Sequence, residues 1–300
     1  NLVSESIRYQ PGQGIFQAHH KLNPADTPSV YDIQFVKDDI RYAYGFSIVR
    51  NAVQEEYLYY FPKGRQVKIF EREAMDIKPG DRYKNTFGVS ASILKENRLF
   101  LSCAANYSNI KEIEKAFLFF SEDIVMYNPQ VNNWTEYSIQ LMQQNEDVKK
   151  AFVEVLQVLG TGIRDVKVRL ASKDLPQEIA EGVIMLMTSQ DMNVIEARLV
   201  YDEFETDLMT EESNGIKKLF EVICPIIDII SKGRVLVCDE IETSLHESIV
   251  YQIVKLFSLT QKDQFAQLIF STHDTSLLDS SLFRRDQIWF TQLDQQRSTD

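Results

Sequence analysis

The segment RVLVCDEIETSLH, residues 234–246, limits the possible folds of this chain more than any other stretch. Val235–Cys238 is an uninterrupted apolar run that reads as a strand buried on both faces, as strands of parallel sheets are. It ends in two adjacent carboxylates, Asp239 and Glu240. Leu245–Phe257 follows with apolar residues at Leu245, Ile249, Ile253 and Phe257, the spacing of one helix face. Gln267–Ser271 is then a second buried strand, closed by Thr272, His273 and Asp274. A strand, a crossover helix and a strand place the two strands parallel, with their charged C-terminal ends side by side. That end is where open α/β sheets hold their ligands.

Upstream, Ile216–Ile230 reads as a mostly apolar helix, interrupted by Pro225 and stopped by Gly233. Glu211-Glu212-Ser213-Asn214-Gly215 precedes it. A serine N-cap followed by glycine leaves helix-terminal amides free to meet an anion. Paired carboxylates at a strand end suit phosphate chemistry: one orders the shell of a magnesium ion, and the other positions or deprotonates water. A histidine on the neighbouring strand end can donate a hydrogen bond to a phosphate and sense its loss. Singly, each feature has a bland reading: a solvated turn, a structural histidine, a capped helix. Their order and spacing together favour a site.

The rest of the chain is organised around this segment. Residues 1–10 read as a short helix, and a loop with Pro11, Gly12 and Gly14 then carries His19 and His20, which are surface residues rather than metal ligands. Period-two alternation predicts strands near Val30–Val36, Ile40–Val49, Glu55–Phe61 and Gln66–Glu73, an antiparallel meander. Tyr57, Tyr59, Tyr60 and Phe61 are packing residues of that meander. Residues 90–160 change to helical spacing, with Ile113, Phe117 and Phe120, then Val148, Phe152, Val155 and Leu156, a helical insertion. Shorter β-rich stretches follow at Val166–Leu170 and Glu196–Phe204; Val183–Met187 is a strand or a buried helix segment, and Ile288–Leu293 a further strand. The division is therefore 1–89, 90–160 and 161–300.

Composition narrows the partners. With 300 residues, 44% hydrophobic and 25% charged, the chain suits one large interrupted domain. No apolar run approaches the roughly 18 residues of a membrane span. A formal charge of −12 argues against a uniformly basic footprint, so nucleic acid is a possible partner that the charge does not indicate. Cys103, Cys224 and Cys238 are widely spaced in apolar surroundings and read as reduced, buried thiols of a cytoplasmic protein. The chain opens without methionine and ends in a polar run, so both ends read as cut.

The motifs ESNG, VLVCDEIETSLH and LIFSTHD, in this order, resemble the signature motif, the Walker B strand with its D-loop, and the H-switch of ABC-type P-loop ATPases. The resemblance is strongest to bacterial AAA-family ATPases of the RloA and abortive-infection type, linked to phage defence; overlapping-lysogenization-defect (OLD) and SMC/Rad50 heads are more distant. It covers residues 210–294 and, more loosely, 1–75. The resemblance implies an α/β fold, a P-loop NTPase ABC-ATPase head with an antiparallel β subdomain and a helical insertion, using ATP and Mg2+. By resemblance, Asp239 serves the magnesium, Glu240 is the catalytic base and His273 senses the γ-phosphate. Ser213, Asn214 and Gly215 meet ATP bound to a second subunit, and Ser244, Leu245 and His246 form the D-loop across the same interface. The signature keeps only Ser-x-Gly of the longer consensus, and His246 stands where the D-loop aspartate is usual.

None of the 11 glycines lies in G-x-x-x-x-G-K-[ST]. In the family that motif is followed directly by Asn-Leu or Asn-Ile, so the expectation is a P-loop immediately before Asn1, with Asn1 beside the nucleotide. The implied function is a nucleotide-driven dimerisation switch, a homodimer or higher homo-oligomer closing on ATP, that controls a separate effector nuclease or toxin in anti-phage defence. The alternatives are a DNA-repair or SMC-like head, for which residues 90–160 are too short to form long arms, an OLD-nuclease head, and a non-hydrolysing assembly scaffold.

Overall fold

The computed structural model describes residues 2–16, 22–24, 26–171, 194–243, 245–258 and 265–295. The chain forms two compact units, Asn1–Ile124 with Trp289–Asp300, and Val125–Ile288. Asn1, His19, His20, Ser244 and the segment Val183–Met187 lie outside the described residues.

In the first unit a short helix, α1 (Leu2–Glu5), precedes a five-stranded antiparallel sheet of order β1-β2-β3-β4-β5. Its strands are β1 (Ser29–Lys37), β2 (Ile40–Val49), β3 (Ala52–Phe61), β4 (Val67–Glu73) and β5 (Asp76–Pro79). The first two hairpins close through Asp38-Asp39 and Arg50-Asn51, all four at positive φ. Two-residue turns of that kind twist in the same sense as the strands they join. One face of the sheet is buried through Phe35, Tyr42, Tyr44, Leu58, Tyr60 and Phe70. Against it pack α2 (Gly88–Ser92), α3 (Phe100–Tyr107), α4 (Lys111–Leu118) and the turn Phe119–Asp123; Phe35 stacks on Phe119 at 3.9 Å and Phe70 meets Phe100 edge-on at 4.9 Å.

An ion pair fixes helix to sheet. Glu56 of β3 and Arg72 of β4 have fully buried side chains 3.2 Å apart. The Glu56 carboxylate also accepts from Tyr44 Oη (3.0 Å) and from the Phe100 and Leu101 amides (2.5 and 2.8 Å). Those amides open α3 and have no partner within their own helix, so the carboxylate caps it and complements its dipole. Arg72 donates in turn to the carbonyls of Ala74, Arg98 and Lys95.

The second unit holds a three-stranded sheet of order β11-β10-β6, from β6 (Ile124–Tyr127), β10 (Val235–Cys238) and β11 (Gln267–Phe270). β10 and β11 pair parallel from Val235↔Gln267 to Cys238↔Phe270. A second antiparallel sheet comprises β7 (Asp165–Ala171), β8 (Val194–Val200) and β9 (Glu205–Asp207). The helices are α5 (Thr135–Gln144), α6 (Glu146–Val158), α7 (Asn214–Ser231) and α8 (Glu247–Ser258). Ile139, Phe152, Leu199, Phe220, Ile223, Leu236 and Val250 join them in one core. Among the described residues no helix is long and apolar enough to cross a membrane.

Three expectations change. Residues 90–160 are not helical throughout, because β6 pairs into the same sheet as β10; a four-residue strand is too short to show alternation. Helix α7 runs through Pro225 without interruption. A proline withholds its amide from the carbonyl four residues earlier, and here Ser138 Oγ supplies that donor, at 3.0 Å from the Glu221 carbonyl oxygen. Ile288–Leu293 is not a strand, and its consecutive Trp289 and Phe290 are 87% and 80% exposed, against the in-and-out alternation of a half-buried strand.

Candidate functional site

The C-terminal ends of β10 and β11 are stitched together before the chain turns away. The Ser271 amide donates to the Cys238 carbonyl (3.1 Å) and the Ile241 amide to the Ser271 carbonyl (3.2 Å). Between them Glu240 takes a left-handed conformation, φ 48°. For a non-glycine residue that is a strained backbone, and such strain gathers at functional sites. The Ser271 hydroxyl holds the turn from both sides. It donates to Asp239 Oδ1 at 2.5 Å and accepts from the Glu240 amide at 2.9 Å.

Two further side chains converge on Glu240. His273 Nε2 lies 3.8 Å from Glu240 Oε1, and the Gln130 side-chain amide donates to Glu240 Oε2 at 3.3 Å. His273 is 86% exposed at its side chain and Glu240 42%, so both groups face solvent where a ligand could enter. The backbone of His273 is anchored, its amide donating to Glu242 Oε1 at 2.8 Å. Burial pushes the Glu242 carboxyl upward, but hydrogen bonds led by that His273 amide outweigh it and leave its pKa below the ordinary glutamate value.

Gln130 is the site residue that sequence reasoning missed. It sits just past β6, and an isolated glutamine after so short a strand has no spacing rule to reveal it. Its loop is rigidly held. The Asn128 and Gln130 amides donate to the side-chain oxygens of Asn132 and Asn128, at 2.7 and 2.9 Å. From α7, Lys218 Nζ donates to the Pro129 carbonyl at 3.2 Å while pairing with Glu221 at 3.1 Å, and Tyr127 Oη donates to Glu221 Oε1 at 2.8 Å.

The structure thus brings Asp239, Glu240 and His273 together and adds Gln130 and Ser271. Ser213 is the N-cap of α7, its Oγ accepting from the Ile216 amide at 3.3 Å, with Asn214 and Gly215 exposed in the first turn. A Cβ on Gly215 would meet nothing closer than Ser213 Oγ at 3.9 Å, so packing does not require glycine there. Leu245 is half-buried against the core, whereas His246 is exposed and its Nδ1 accepts from the Ser248 amide at 3.3 Å, capping α8.

The donor set fits a magnesium ion better than a closed protein-bound metal centre. Among the described residues no group of three or more His, Cys, Asp or Glu could hold a metal. Magnesium keeps several waters and takes one or two carboxylates together with phosphate oxygens. The Asp239 carboxylate, held by the Ser271 hydroxyl at the strand end, would be one such carboxylate.

Residues 198–279 match the model of the family described as "AAA domain, putative AbiEii toxin, Type IV TA system". No curated protein matches the chain. Among solved structures, the chain is similar to one titled "Crystal structure of the SmcHead bound to the C-winged helix domain of ScpA", at 14% identity over 86% of this chain and 70% of that one, with a TM-score of 0.38. The family match supports a nucleotide-binding P-loop ATPase of the AAA type, over the segment that holds Asp239, Glu240 and His273.

Proposed function

We propose that the chain is an ABC-type ATPase head that binds ATP with Mg2+ and hydrolyses it at the ends of β10 and β11. The observation that carries this reading is the Glu240 carboxylate, held between the Gln130 amide and the His273 imidazole beside Asp239. Asp239 would hold a magnesium ion through its water shell. Glu240 takes the proton of the attacking water, which Gln130 helps to orient. His273 hydrogen-bonds the γ-phosphate through an exposed ring whose backbone cannot drift, because Glu242 holds its amide. A magnesium ion held there would supply positive charge to offset that of the phosphates.

Ser213, Asn214 and Gly215 then meet nucleotide carried by a second copy: they are exposed at the start of an 18-residue helix, and a helix start favours anions. Leu245 and His246, with Ser244, line the same interface, and Asn1 stands beside the nucleotide. Residues 1–89 and 161–300 belong to the head together with β6 and Gln130, which join its sheet and its site from within 90–160, and the remaining helices of 90–160 meet an effector. The switch closes on ATP and reopens after hydrolysis, because only the closed state holds nucleotide from both sides. A cytoplasmic abortive-infection role, controlling a separate nuclease or toxin, is in keeping with the toxin–antitoxin wording of the matched family.

The test is Glu240→Gln in the natural full-length protein, followed by steady-state ATP turnover and by light scattering with and without ATP. The variant should bind ATP, lose turnover and accumulate nucleotide-dependent dimers. Unchanged hydrolysis would remove Glu240 as the base; absence of both turnover and association from wild type as well would favour a scaffold.

A further inference from the structure

We infer that Lys218, paired with Glu221 on α7, is a positioning residue for ATP hydrolysis: the pair fixes the peptide bond that aims Gln130 at Glu240. The inference rests on the ATPase reading above. Lys218 and Glu221 stand three residues apart, on one face of the helix. Both are buried, 9% and 8% exposed, in a run that also buries Leu219, Phe220, Val222 and Ile223. Lysine and glutamate are almost never buried so deeply unless paired. Taking two charges out of water costs so much that well-packed apolar side chains commonly hold a core as well or better. The stability of α7 therefore gives no reason for a charged pair at this place; the contacts that the pair makes outside the helix do.

Those contacts lead to one loop. The Lys218 ammonium has three protons to donate. Its Nζ lies 3.1 and 3.2 Å from the two Glu221 oxygens, 5.4 Å from the centre of the Tyr127 ring and 3.2 Å from the Pro129 carbonyl oxygen. Tyr127 Oη donates to Glu221 Oε1 at 2.8 Å, which fixes the carboxylate beside the ammonium. The Pro129 carbonyl and the Gln130 amide belong to one planar peptide unit. Lys218 holds its oxygen, and Asn128 Oδ1 accepts from its N–H at 2.9 Å. With both ends held the plane cannot rotate, and the direction in which Gln130 leaves the backbone is set. Gln130 is exposed, so the backbone rather than packing determines its aim, and its side-chain amide meets Glu240 Oε2 at 3.3 Å. Lys218 acts through Gln130 and not on the reacting atoms.

The experiment uses the full-length protein and two cluster variants that remove both charges together, so that neither is left buried alone. Lys218→Met/Glu221→Gln keeps an acceptor for Tyr127 Oη; Lys218→Met/Glu221→Leu/Tyr127→Phe makes the cluster wholly apolar. Each is made with and without Gln130→Ala. Both cluster variants should melt no lower than wild type and bind a fluorescent nucleotide as tightly. Their turnover should fall by about 10- to 100-fold, as when a catalytic group is misplaced by about 1 Å. Combined with Gln130→Ala, neither should slow turnover further, because its effect passes through that glutamine. The amides of residues 130–132 should exchange about fivefold faster or more, as on the loss of roughly one hydrogen bond. Wild-type turnover in the cluster variants or in Gln130→Ala, further slowing in the combinations, or unchanged amide exchange overturns the proposal and leaves the ATPase reading standing. Melting well below wild type in both cluster variants makes the cluster structural and likewise overturns it. A wild type without turnover overturns the ATPase reading instead, and the exchange alone then decides whether the cluster holds the loop.

Discussion

Replacing Ser271 by alanine removes one oxygen and two hydrogen bonds from the turn that carries Asp239 and Glu240. The bond donated to the Asp239 carboxylate is charge-assisted, worth about 1.5–3 kcal/mol in a protected setting, and that from the Glu240 amide about 0.5–1.5 kcal/mol. Both bonds are solvent-exposed, so water replaces much of each and the loss falls at or just below the low end of the combined range of about 2–4.5 kcal/mol, to about 1.5–2 kcal/mol. The loss falls on a residue whose left-handed backbone already costs about 1–2 kcal/mol. Without the hydroxyl, Glu240 relaxes away from Gln130 and His273. If the arrangement is needed only for the chemical step, about 1.4 kcal/mol is a tenfold loss of rate. Ser271→Ala should therefore lower ATP turnover by roughly ten- to thirty-fold while ATP binding changes little. Ser271→Thr, which keeps the oxygen, should recover most of the rate. Steady-state turnover and a fluorescent-nucleotide titration separate the two effects. Turnover equal to wild type in Ser271→Ala, or equally low turnover in alanine and threonine variants, would refute the reasoning.

Other expectations concern the scaffold. Ser138→Ala strips the donor from the buried Glu221 carbonyl and should cost about 1–3 kcal/mol in urea denaturation; adding Pro225→Ala restores a helical amide to that carbonyl and should recover most of it. Burial pushes the thiols of Cys103 and Cys224 up from 9.0 to about 12 and that of Cys238 to about 11. The folded state holds these protons more tightly than the unfolded one, so their contribution to stability is complete below pH 9.0 and lost as pH rises toward 11–12. Melting temperature should fall over that window, and a maleimide should label none of the three in native protein near neutral pH.

The meander and the last third were legible because their signals are local. Alternation marked β1 to β4 to within a few residues, and the apolar run before Asp239 marked β10. The neighbourhood of Asp239, Glu240 and His273 followed from chain connectivity alone, since one crossover helix leaves two short strands little choice but to lie together. What stayed hidden depends on distant partners. Gln130 is separated from Glu240 by 110 residues. The continuity of α7 through Pro225 depends on a serine from another helix, and the tie between Glu56 and Arg72 has no periodic trace. Ile288–Leu293 shows the opposite failure, an apolar pattern that makes only a single bridge, at Leu293, and no strand.

The capping of α3 by Glu56 bears on how the first unit can come apart. Fraying the start of α3 would strand a carboxylate among apolar groups, and peeling away β3 would leave two helical amides and the Arg72 guanidinium without their acceptor. Breaking one side of a buried pair costs about 3–5 kcal/mol, more than most local openings. Sheet and helix are thereby bound into a single foldon: amide hydrogens of β3, β4 and α3 should exchange at one common rate, and no excised hairpin from the meander should hold its shape alone.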